Sequence, residues 1–310
     1  MKNKTYILLR FAFLLIISAL VSCDESNDGF IKYEAIPQTP VGTKLVNNTN
    51  LIATIFSDST YTVTEGVQAT EMHYFSMTGY STHVFIFEVD LSNPKLSIEV
   101  STPNNKTVPS FQAMTVQATF EDSEGHKVWG GVNGSFFNTT TGAAHGLLYK
   151  EGTMVQLYSS TYPNFFALTK DKRALIAGSE IYGSVKDNIQ EAVGGGVMLV
   201  RNGSAINQTD VSINPRTCIG VSADQQRVFI MAVDGRNYHY SNGMTYADLA
   251  KCMVALGAET ALNLDGGGST SFFIRTTPDF SSNRFKLRNW PSDNGGQERE
   301  VANGIVIISK

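Results

Sequence analysis

The sequence has few of the residues that form metal, disulfide or nucleic-acid sites. Its 310 residues include three cysteines and contain neither a CxxC nor an HExxH pattern, so no zinc site is expected. Charged residues account for 17% of the chain and the formal net charge is −4, without a basic patch or an arginine-rich helix. Nucleic-acid binding is therefore not expected. The 42% of hydrophobic residues in so long a chain instead predict a large globular core.

The low cysteine count also limits covalent cross-linking. Apart from Cys23, only Cys218 and Cys252 are present, and Cys252 lies on the apolar face of a predicted helix. One disulfide and two buried thiols are both consistent with these positions.

The N-terminal region has no apolar run of the length that spans a membrane. Residues 11–21 are apolar, but this run is short for a spanning helix. Basic residues precede it and Cys23 follows it closely, as in a bacterial lipoprotein signal. We expect residues 1–22 to be a signal peptide and Cys23 to carry lipid, which would tether the protein in the cell envelope, at the outer membrane and outside the cytoplasm. The acidic pair at 24–25 favours the outer surface, and the alternative, an uncleaved anchor, gives the same side of the membrane.

Composition divides the rest of the chain into a tether, a small β element and one large domain. Residues 23–48 are polar, with two prolines and several asparagines, which is typical of a linker. Residues 49–71 contain short β-prone stretches and are predicted to form a small N-terminal β element. Residues 72–310 form the large domain, in which 84–89 and 96–100 have the pattern of two neighbouring strands of a meander.

The clearest helix pattern follows Thr245. Thr245 and Asp248 have the spacing of a capping box, and apolar residues then recur at the helical period as far as Gly257, a typical C-terminal glycine. This helix is predicted to pack in the core and to carry no chemistry. A second helix is expected over 112–120.

The segment 261–270 (ALNLDGGGST) is the most informative part of the chain. Leu262 and Leu264 alternate with Asn263 and Asp265, which is the period of a strand with one apolar face. Three glycines then remove the side chains that would keep a ligand away from backbone N–H groups. The segment therefore predicts a carboxylate beside a bare loop, although a tight turn with Asp265 as a turn residue has the same pattern.

A predicted hairpin lies earlier in the domain. Residues 216–221 and 228–233 are strand-like, and a turn centred near Gln225 places Arg216 opposite or beside Asp234. The pair could be an ordinary cross-strand salt bridge, or it could frame an anion site together with Arg236.

Four stretches, taken together, resemble the phosphodiester glycosidase family. They are 133–137 (NGSFF), 214–220 (NPRTCIG) with 234–236 (DGR), 263–270 (NLDGGGST) and 299–303 (REVAN). Each is weak alone, but their order and their domain-like spacing make the combination specific. The resemblance covers residues 72–310.

The resemblance implies an α+β fold of curved, mixed or largely antiparallel β-sheets with a few packed helices. It also implies hydrolysis of a sugar-1-phosphodiester, such as an alpha-N-acetylglucosamine-1-phosphodiester, to free sugar and a phosphomonoester. Asp265 would be the catalytic base or nucleophile, with Asp234 as a second carboxylate. The residues implied in binding the sugar and the phosphate are Asn133, Ser135, Arg216, Arg236, Asn263, Gly266, Gly267, Gly268, Ser269, Arg299 and Asn303.

The residue types suit this chemistry. A phosphodiester is already a good leaving group, so arginines and N–H groups that stabilise its charge matter more than a strong acid. His145 is either a proton shuttle or an ordinary loop histidine. Of the phenylalanine pairs 136–137 and 272–273, at most one member each can line a site, because adjacent strand residues face opposite sides. Trp290 is a candidate for stacking on a sugar.

Two other functions remain open on the sequence. The chain could be a non-catalytic glycan-binding surface lipoprotein, or a phosphodiesterase that cuts on the phosphate side; a carboxylate among arginines favours the glycosidase. No cofactor is expected to be required. Calcium binding is possible, but no EF-hand-like spacing supports it. The expected partners are a carbohydrate phosphodiester and, through Cys23, the membrane.

Overall fold

The computed structural model describes residues 34–310, so the predicted signal peptide and Cys23 lie outside the described residues. No helix in this part of the chain is both long enough and apolar enough to cross a membrane. Its α-helices are α1 (Pro40–Asn48), α2 (Met114–Glu121), α3 (Ser179–Val185) and α4 (Tyr246–Leu256), and short 3-10 turns lie at Pro103–Asn105, Lys186–Asn188, Gly267–Ser269 and Ser292–Asn294.

Most of the described chain is β-structure. The strands are β1 (Ile52–Thr64), β2 (Val67–Ser76), β3 (Ser81–Asp90), β4 (Leu96–Ser101), β5 (Lys127–Asn133), β6 (Leu148–Lys150), β7 (Thr153–Gln156), β8 (Asn164–Thr169), β9 (Ala174–Ala177), β10 (Ile189–Gly195), β11 (Met198–Arg201), β12 (Ser204–Ala205), β13 (Arg216–Val221), β14 (Arg227–Val233), β15 (Thr260–Asn263), β16 (Phe272–Arg275), β17 (Phe285–Leu287) and β18 (Gly304–Ser309).

These strands form three sheets. Sheet I has the spatial order β1-β2-β3-β14-β13-β15-β11-β12, sheet II has the order β17-β16-β5-β18-β4, and sheet III has the order β7-β6-β10-β8-β9. Neighbouring strands pair in antiparallel fashion throughout the described sheets. The prediction of an α+β fold with largely antiparallel sheets is confirmed.

The three sheets share one apolar interior. Phe87 of β3 in sheet I stacks on Phe272 of β16 in sheet II, with ring centroids 4.0 Å apart, and both rings are fully buried. Phe166 of β8 brings sheet III into the same cluster. Burial of such large apolar rings is the main source of the fold's stability.

Helices cover the opposite faces of the sheets. On sheet I, Val41 of α1 and Leu249 of α4 pack in one cluster with Ile86 of β3. Met114 of α2 packs against sheet II, and Tyr182 of α3 lies against sheet III. Each sheet is therefore buried on both faces over much of its area, which explains why many strands read as continuous apolar runs.

The predicted helices are present. The Thr245 hydroxyl oxygen accepts a hydrogen bond from the Asp248 N–H at 3.1 Å, and α4 ends at Gly257, whose φ of +103° is in the left-handed region. The helix expected over 112–120 is α2. Cys218 of β13 and Cys252 of α4 are both free and lie in the buried cluster between this helix and sheet I, so the alternative of two buried thiols is the one the structure shows. Burial raises the pKa of Cys252 to about 12.

The expected meander of residues 84–89 and 96–100 is wrong. β3 lies between β2 and β14 in sheet I, whereas β4 pairs with β18 at the edge of sheet II. The alternating pattern correctly indicates two strands, but it carries no information about which strand each one pairs with.

The predicted tether does not extend to residue 48. Residues 40–48 form α1, which buries Val41 and Leu45, and the Thr39 hydroxyl caps this helix while donating to the Asp58 carboxylate at 2.6 Å. Residues 49–71 are likewise not a separate element, because β1 and β2 are part of sheet I. A helix that attaches to the domain through only two buried side chains can be polar elsewhere. Its composition then resembles that of a linker.

Candidate active site

The polar face of β15 continues into the glycine segment as the sequence predicts. Leu262 and Leu264 are buried in the shared interior, and Asn263 and Asp265 point to the other side. The Asp265 N–H donates to the Gly134 carbonyl at 3.0 Å, which connects the end of β15 to the turn after β5.

The Asp265 carboxylate is held in a defined orientation. Its Oδ1 accepts from the Gly266 N–H at 2.9 Å, and its Oδ2 accepts from the Ser269 hydroxyl at 2.6 Å. Burial raises the pKa of Asp265, whereas the Ser269 hydrogen bond and the charge of Arg299 act to lower it. A carboxylate with a raised pKa that keeps unused lone pairs is a suitable proton acceptor.

The glycine loop is in tight contact with charged side chains. Gly267 has φ +60°, and a Cβ there would come within 3.3 Å of the Arg236 guanidinium, while a Cβ on Gly268 would overlap the Asp293 carboxylate. The loop's N–H groups are mostly used within the protein: Gly266 donates to Asp265 and Gly267 donates to the Pro215 carbonyl at 3.0 Å. Of these three N–H groups, only that of Gly268 has no acceptor within the described residues. The glycine loop therefore offers a ligand one backbone donor instead of the several expected from the sequence.

Two arginines lie beside the loop. Arg299 donates to the Ser269 hydroxyl, and its guanidinium lies 3.9 Å from Asp265 and 3.9 Å from Asp293, while its buried Nε has no hydrogen-bond partner among the described residues. Arg236 donates to Asp293 at 3.0 Å. Its φ of +59° costs a non-glycine residue about 1–3 kcal/mol. Both guanidinium groups are partly exposed and can reach an anion.

Sequence reasoning missed two residues of this cluster. Asp293 bridges Arg236 and Arg299, and Asn214 accepts from the Arg236 Nη2 at 3.1 Å. Asp293 lies in the polar loop before β18, where no periodicity marks it. Asn214 belongs to the stretch 214–220, which carries part of the family resemblance, and this membership is the signal that could have found it.

The predicted pairing of Arg216 with Asp234 is off by one residue. Arg216 lies opposite Val233, and a shift of one position puts Asp234 on the other face of sheet I. The two residues therefore form no ion pair, and neither the salt-bridge nor the shared anion-site interpretation applies to them.

Arg216 instead fixes an aromatic ring. Its guanidinium carbon lies 3.7 Å from the ring centroid of Tyr246, and its Nε donates to the Met244 carbonyl at 3.1 Å. Burial lowers the pKa of Arg216, although it stays cationic. Arg216 lies at the edge of the cluster, where the backbone of Gly266 passes close to its Cα.

Asp234 is sealed below the surface. Its Oδ1 accepts from Asn289 at 2.9 Å, and its Oδ2 accepts from the Trp290 N–H at 2.7 Å. Burial raises the pKa of Asp234 to about 6. These contacts anchor the segment that leads to Asp293, which is a positioning role, and they leave Asp234 1% exposed.

The asparagines named from the resemblance also hold the loops together. Asn133 donates to the Asp265 carbonyl at 2.7 Å and accepts from the Thr217 hydroxyl at 2.8 Å. Asn303 accepts from the Ser135 N–H at 2.8 Å and donates to its hydroxyl at 3.0 Å. All are buried, so they support the site from behind.

Aromatic side chains extend the site on one side. His145 packs on Tyr162 with ring centroids 5.4 Å apart, and Tyr162 packs on Phe136 at 5.1 Å. The other phenylalanines of the two pairs are buried in the core, so one of each pair at most is near the surface, as expected. Trp290 is half exposed and covers Gly296.

The arrangement combines one firmly oriented carboxylate, two partly exposed cations and one N–H group that has no acceptor in the described part of the chain. Such a set can activate water while stabilising charge on a departing phosphate. Within residues 34–310, no three His, Cys, Asp or Glu side chains converge as a metal site would need.

Comparison with known proteins identifies the family of this chain. The sequence profile of the phosphodiester glycosidase family matches residues 126–308. Bovine N-acetylglucosamine-1-phosphodiester alpha-N-acetylglucosaminidase is 27% identical over 182 residues, a match that covers 52% of this chain and 32% of that protein. This chain thus matches about a third of the length of the curated relative.

Solved structures show the same fold. The catalytic domain of the zebrafish N-acetylglucosamine-1-phosphodiester alpha-N-acetylglucosaminidase superposes with a TM-score of 0.60 at 19% identity, covering 82% of this chain and 88% of that one. A hypothetical protein from Synechocystis gives 0.62 at 13% identity, over 82% and 64% of the chains. The family profile spans more than half of the sequence, and the chain belongs to the phosphodiester glycosidase family.

Proposed function

We propose that this protein hydrolyses glycosyl phosphodiesters on the sugar side of the linkage, with alpha-N-acetylglucosamine-1-phosphodiesters as the first substrates to test. The observation that carries the proposal is the Asp265 carboxylate, which has a raised pKa and lies 3.9 Å from Arg299 beside the glycine loop. Membership of the family and the name of the bovine relative support the substrate class.

In the proposed reaction, the bond between the anomeric carbon and the phosphate oxygen breaks. Asp265 takes a proton from the attacking water, or attacks the anomeric carbon itself, and the bonding electron pair leaves with the phosphate. Arg236 and Arg299 stabilise the negative charge on the departing phosphomonoester, and the Gly268 N–H adds one donor. Asp234 anchors the segment before Asp293 and does not touch the substrate.

The test is hydrolysis in ¹⁸O-labelled water by the purified protein, with a nucleotide-activated alpha-N-acetylglucosamine as substrate. Sugar-side cleavage puts the label on the hydroxyl of the free sugar. Cleavage on the phosphate side leaves the anomeric oxygen unlabelled and puts the label on phosphate, whether free sugar or sugar-1-phosphate is released, and would overturn the proposal in favour of a phosphodiesterase. Inversion at the anomeric carbon would identify Asp265 as a base, and retention would identify it as a nucleophile.

A matched pair of variants connects the activity to the site. Asp265→Asn should lose turnover, whereas Asp187→Asn, on an exposed residue in the 3-10 turn after α3, should not. Binding of the sugar without turnover by the wild-type protein would support a glycan-binding protein instead.

We also propose that Cys23 is lipidated and that the protein is held in the cell envelope, outside the cytoplasm. The basic, apolar and cysteine pattern at the N terminus supports this. Cys23→Ser should move the protein from the membrane fraction to the soluble fraction, and a variant that stays in the membrane would contradict the lipid anchor.

A further inference from the structure

A groove of about 760 Å³ adjoins the candidate active site. Its walls come from the segment before β8, the start of β11 and the start of α4, and it is lined by Phe136, Tyr162, Tyr246, Met198, Arg201 and Gln208 among others. A volume of this size lies within the range of ligand sites, roughly 300–1,000 Å³. The groove lies outside the Asp265 cluster, so it has space for a part of a ligand that the cluster does not hold.

The groove is connected to Asp265 through Asn263 of β15. Gly196 and Val197 of the groove lining form backbone hydrogen bonds of 2.8 and 3.0 Å with Asn263. Asn263, two residues before Asp265 on the same polar face of β15, lies 3.5 Å from the Tyr246 hydroxyl. A ligand bound at Asp265 can therefore continue directly into the groove.

The rings of the groove are held in place. Arg216 stacks on Tyr246 from one side, and Phe136 and Tyr162 pack on each other. Gly196 lines the groove without a side chain. A Cβ there would come within 3.2 Å of the Phe136 ring and would crowd it. Fixed aromatic faces bind the apolar face of a sugar ring at little cost in side-chain entropy.

The polar groups of the groove point to a ligand with hydroxyls and a negative charge. Asn164 of the lining donates to the Gly196 carbonyl at 2.8 Å and keeps its own oxygen for a donor. Gln208 donates to the Met198 carbonyl at 2.9 Å and keeps its own oxygen for a donor. The lining has one cation, Arg201, and no acidic residue.

Building on the proposed function, we propose that this groove binds further units of a sugar-phosphodiester chain, so that the substrate is an anionic glycan polymer rather than a single capped sugar. Phe136, Tyr162 and Tyr246 contact the next sugar ring. Arg201, which is exposed at the end of β11, meets the phosphate of a neighbouring unit.

The test is the dependence of kcat/KM on chain length. Full-length protein is assayed with a methyl phosphodiester of the sugar and with oligomers of two, three and four sugar-phosphate units. The proposal predicts that kcat/KM rises at least about tenfold between one and three units, which corresponds to about 1.4 kcal/mol of added binding. Tyr162→Ala and Arg201→Ala should each remove most of this rise.

Arg227→Ala is the matched control, because Arg227 is also an exposed arginine at the end of a strand of sheet I but lies away from the groove. It should keep the full rise. A rate that does not depend on length, or a rise that survives both groove variants, would overturn the proposal. Preference for a nucleotide aglycone with no length effect would also overturn it and would indicate a nucleobase site.

The proposal can fail separately from the proposed function. If the methyl phosphodiester is cleaved but length has no effect, the glycosidase stands and the groove proposal is wrong. If nothing is cleaved, calorimetric binding of the trimer to the wild-type protein still tests the groove. Binding that Arg201→Ala weakens would support the groove proposal, and absence of binding would overturn it.

Discussion

Asp234 follows β14 and Asp265 follows β15, both strands of sheet I. Burial raises the pKa of both carboxyl groups, yet their surroundings differ. Asp265 has hydrogen bonds from Gly266 and Ser269 and lies next to the partly exposed Arg299. Asp234 accepts hydrogen bonds from Asn289 and from the Trp290 N–H, is 1% exposed, and forms no ion pair among the described residues. A raised pKa alone therefore does not identify a catalytic carboxylate; access and a charge partner do.

The largest expected effect separates the two carboxylates by activity. Asp265→Asn removes the proposed base or nucleophile and should reduce kcat/KM about 10³-fold. The fold should be retained, since an amide can keep one of the two hydrogen bonds. Steady-state kinetics measures the loss of kcat/KM, and a thermal melt shows whether the fold is retained. Activity within tenfold of wild type would contradict the distinction between the two carboxylates.

The next effect concerns the cation beside Asp265. Arg299→Lys keeps the charge but loses the planar donor set that contacts Ser269 and faces both Asp265 and Asp293. We expect about a 10²-fold loss in kcat/KM, mostly in kcat. Arg227→Lys serves as a surface control. Loss confined to KM would show that Arg299 binds the substrate and its transition state equally.

Asp234→Asn should act on stability. One carboxylate oxygen becomes an NH₂ group that faces a donor, either from Asn289 or from Trp290, which should cost about 1–3 kcal/mol of unfolding free energy. Activity per folded molecule should fall less than tenfold. Denaturant unfolding and active-site titration on one sample measure both quantities, and a stable but inactive variant would contradict the positioning role.

Asp234 should also make the stability of the fold depend on pH. Because the folded-state pKa of Asp234 is about 6 and its ordinary value is 3.8, its protonated form stabilises the fold at low pH, and this contribution is lost as pH rises from about 4 to 6. The stability of wild type relative to Asp234→Asn should therefore fall by about 2–3 kcal/mol across this window. A difference that stays constant from pH 4 to 7 would contradict the assignment.

The smallest expected effect comes from chelation. Arg236 and Arg299 supply positive charge at the site without a metal, so incubation with a chelator should leave kcat and KM unchanged. If the chelator abolishes activity and calcium restores it, the site needs a bound cation in addition to the two arginines.

Local patterns in the sequence were sufficient for part of this account. The apolar period located α4 and its caps, and the alternation at 261–265 placed Asp265 on the polar face of β15. These features depend on neighbours within a few residues, which a single sequence displays directly.

Contacts between distant segments were not predictable in the same way. The register of β13 and β14 differs from the predicted one by one residue, which is enough to move Asp234 to the other face. The partner of β4 and the bridge made by Asp293 depend on loops that cross between sheets, and no periodicity records them. Asn133 and Asn303 were found through the resemblance alone, and their buried hydrogen bonds gave them a different place from the one expected.

The most direct test of the central claim is the pH dependence of kcat/KM in three proteins: wild type, Ser269→Ala and Asp234→Asn. The Ser269 hydrogen bond lowers the pKa of Asp265, so its removal should move the acidic limb of the profile to higher pH, whereas Asp234→Asn should leave that limb in place. An acidic limb that moves with Asp234→Asn and not with Ser269→Ala would contradict Asp265 as the catalytic carboxylate.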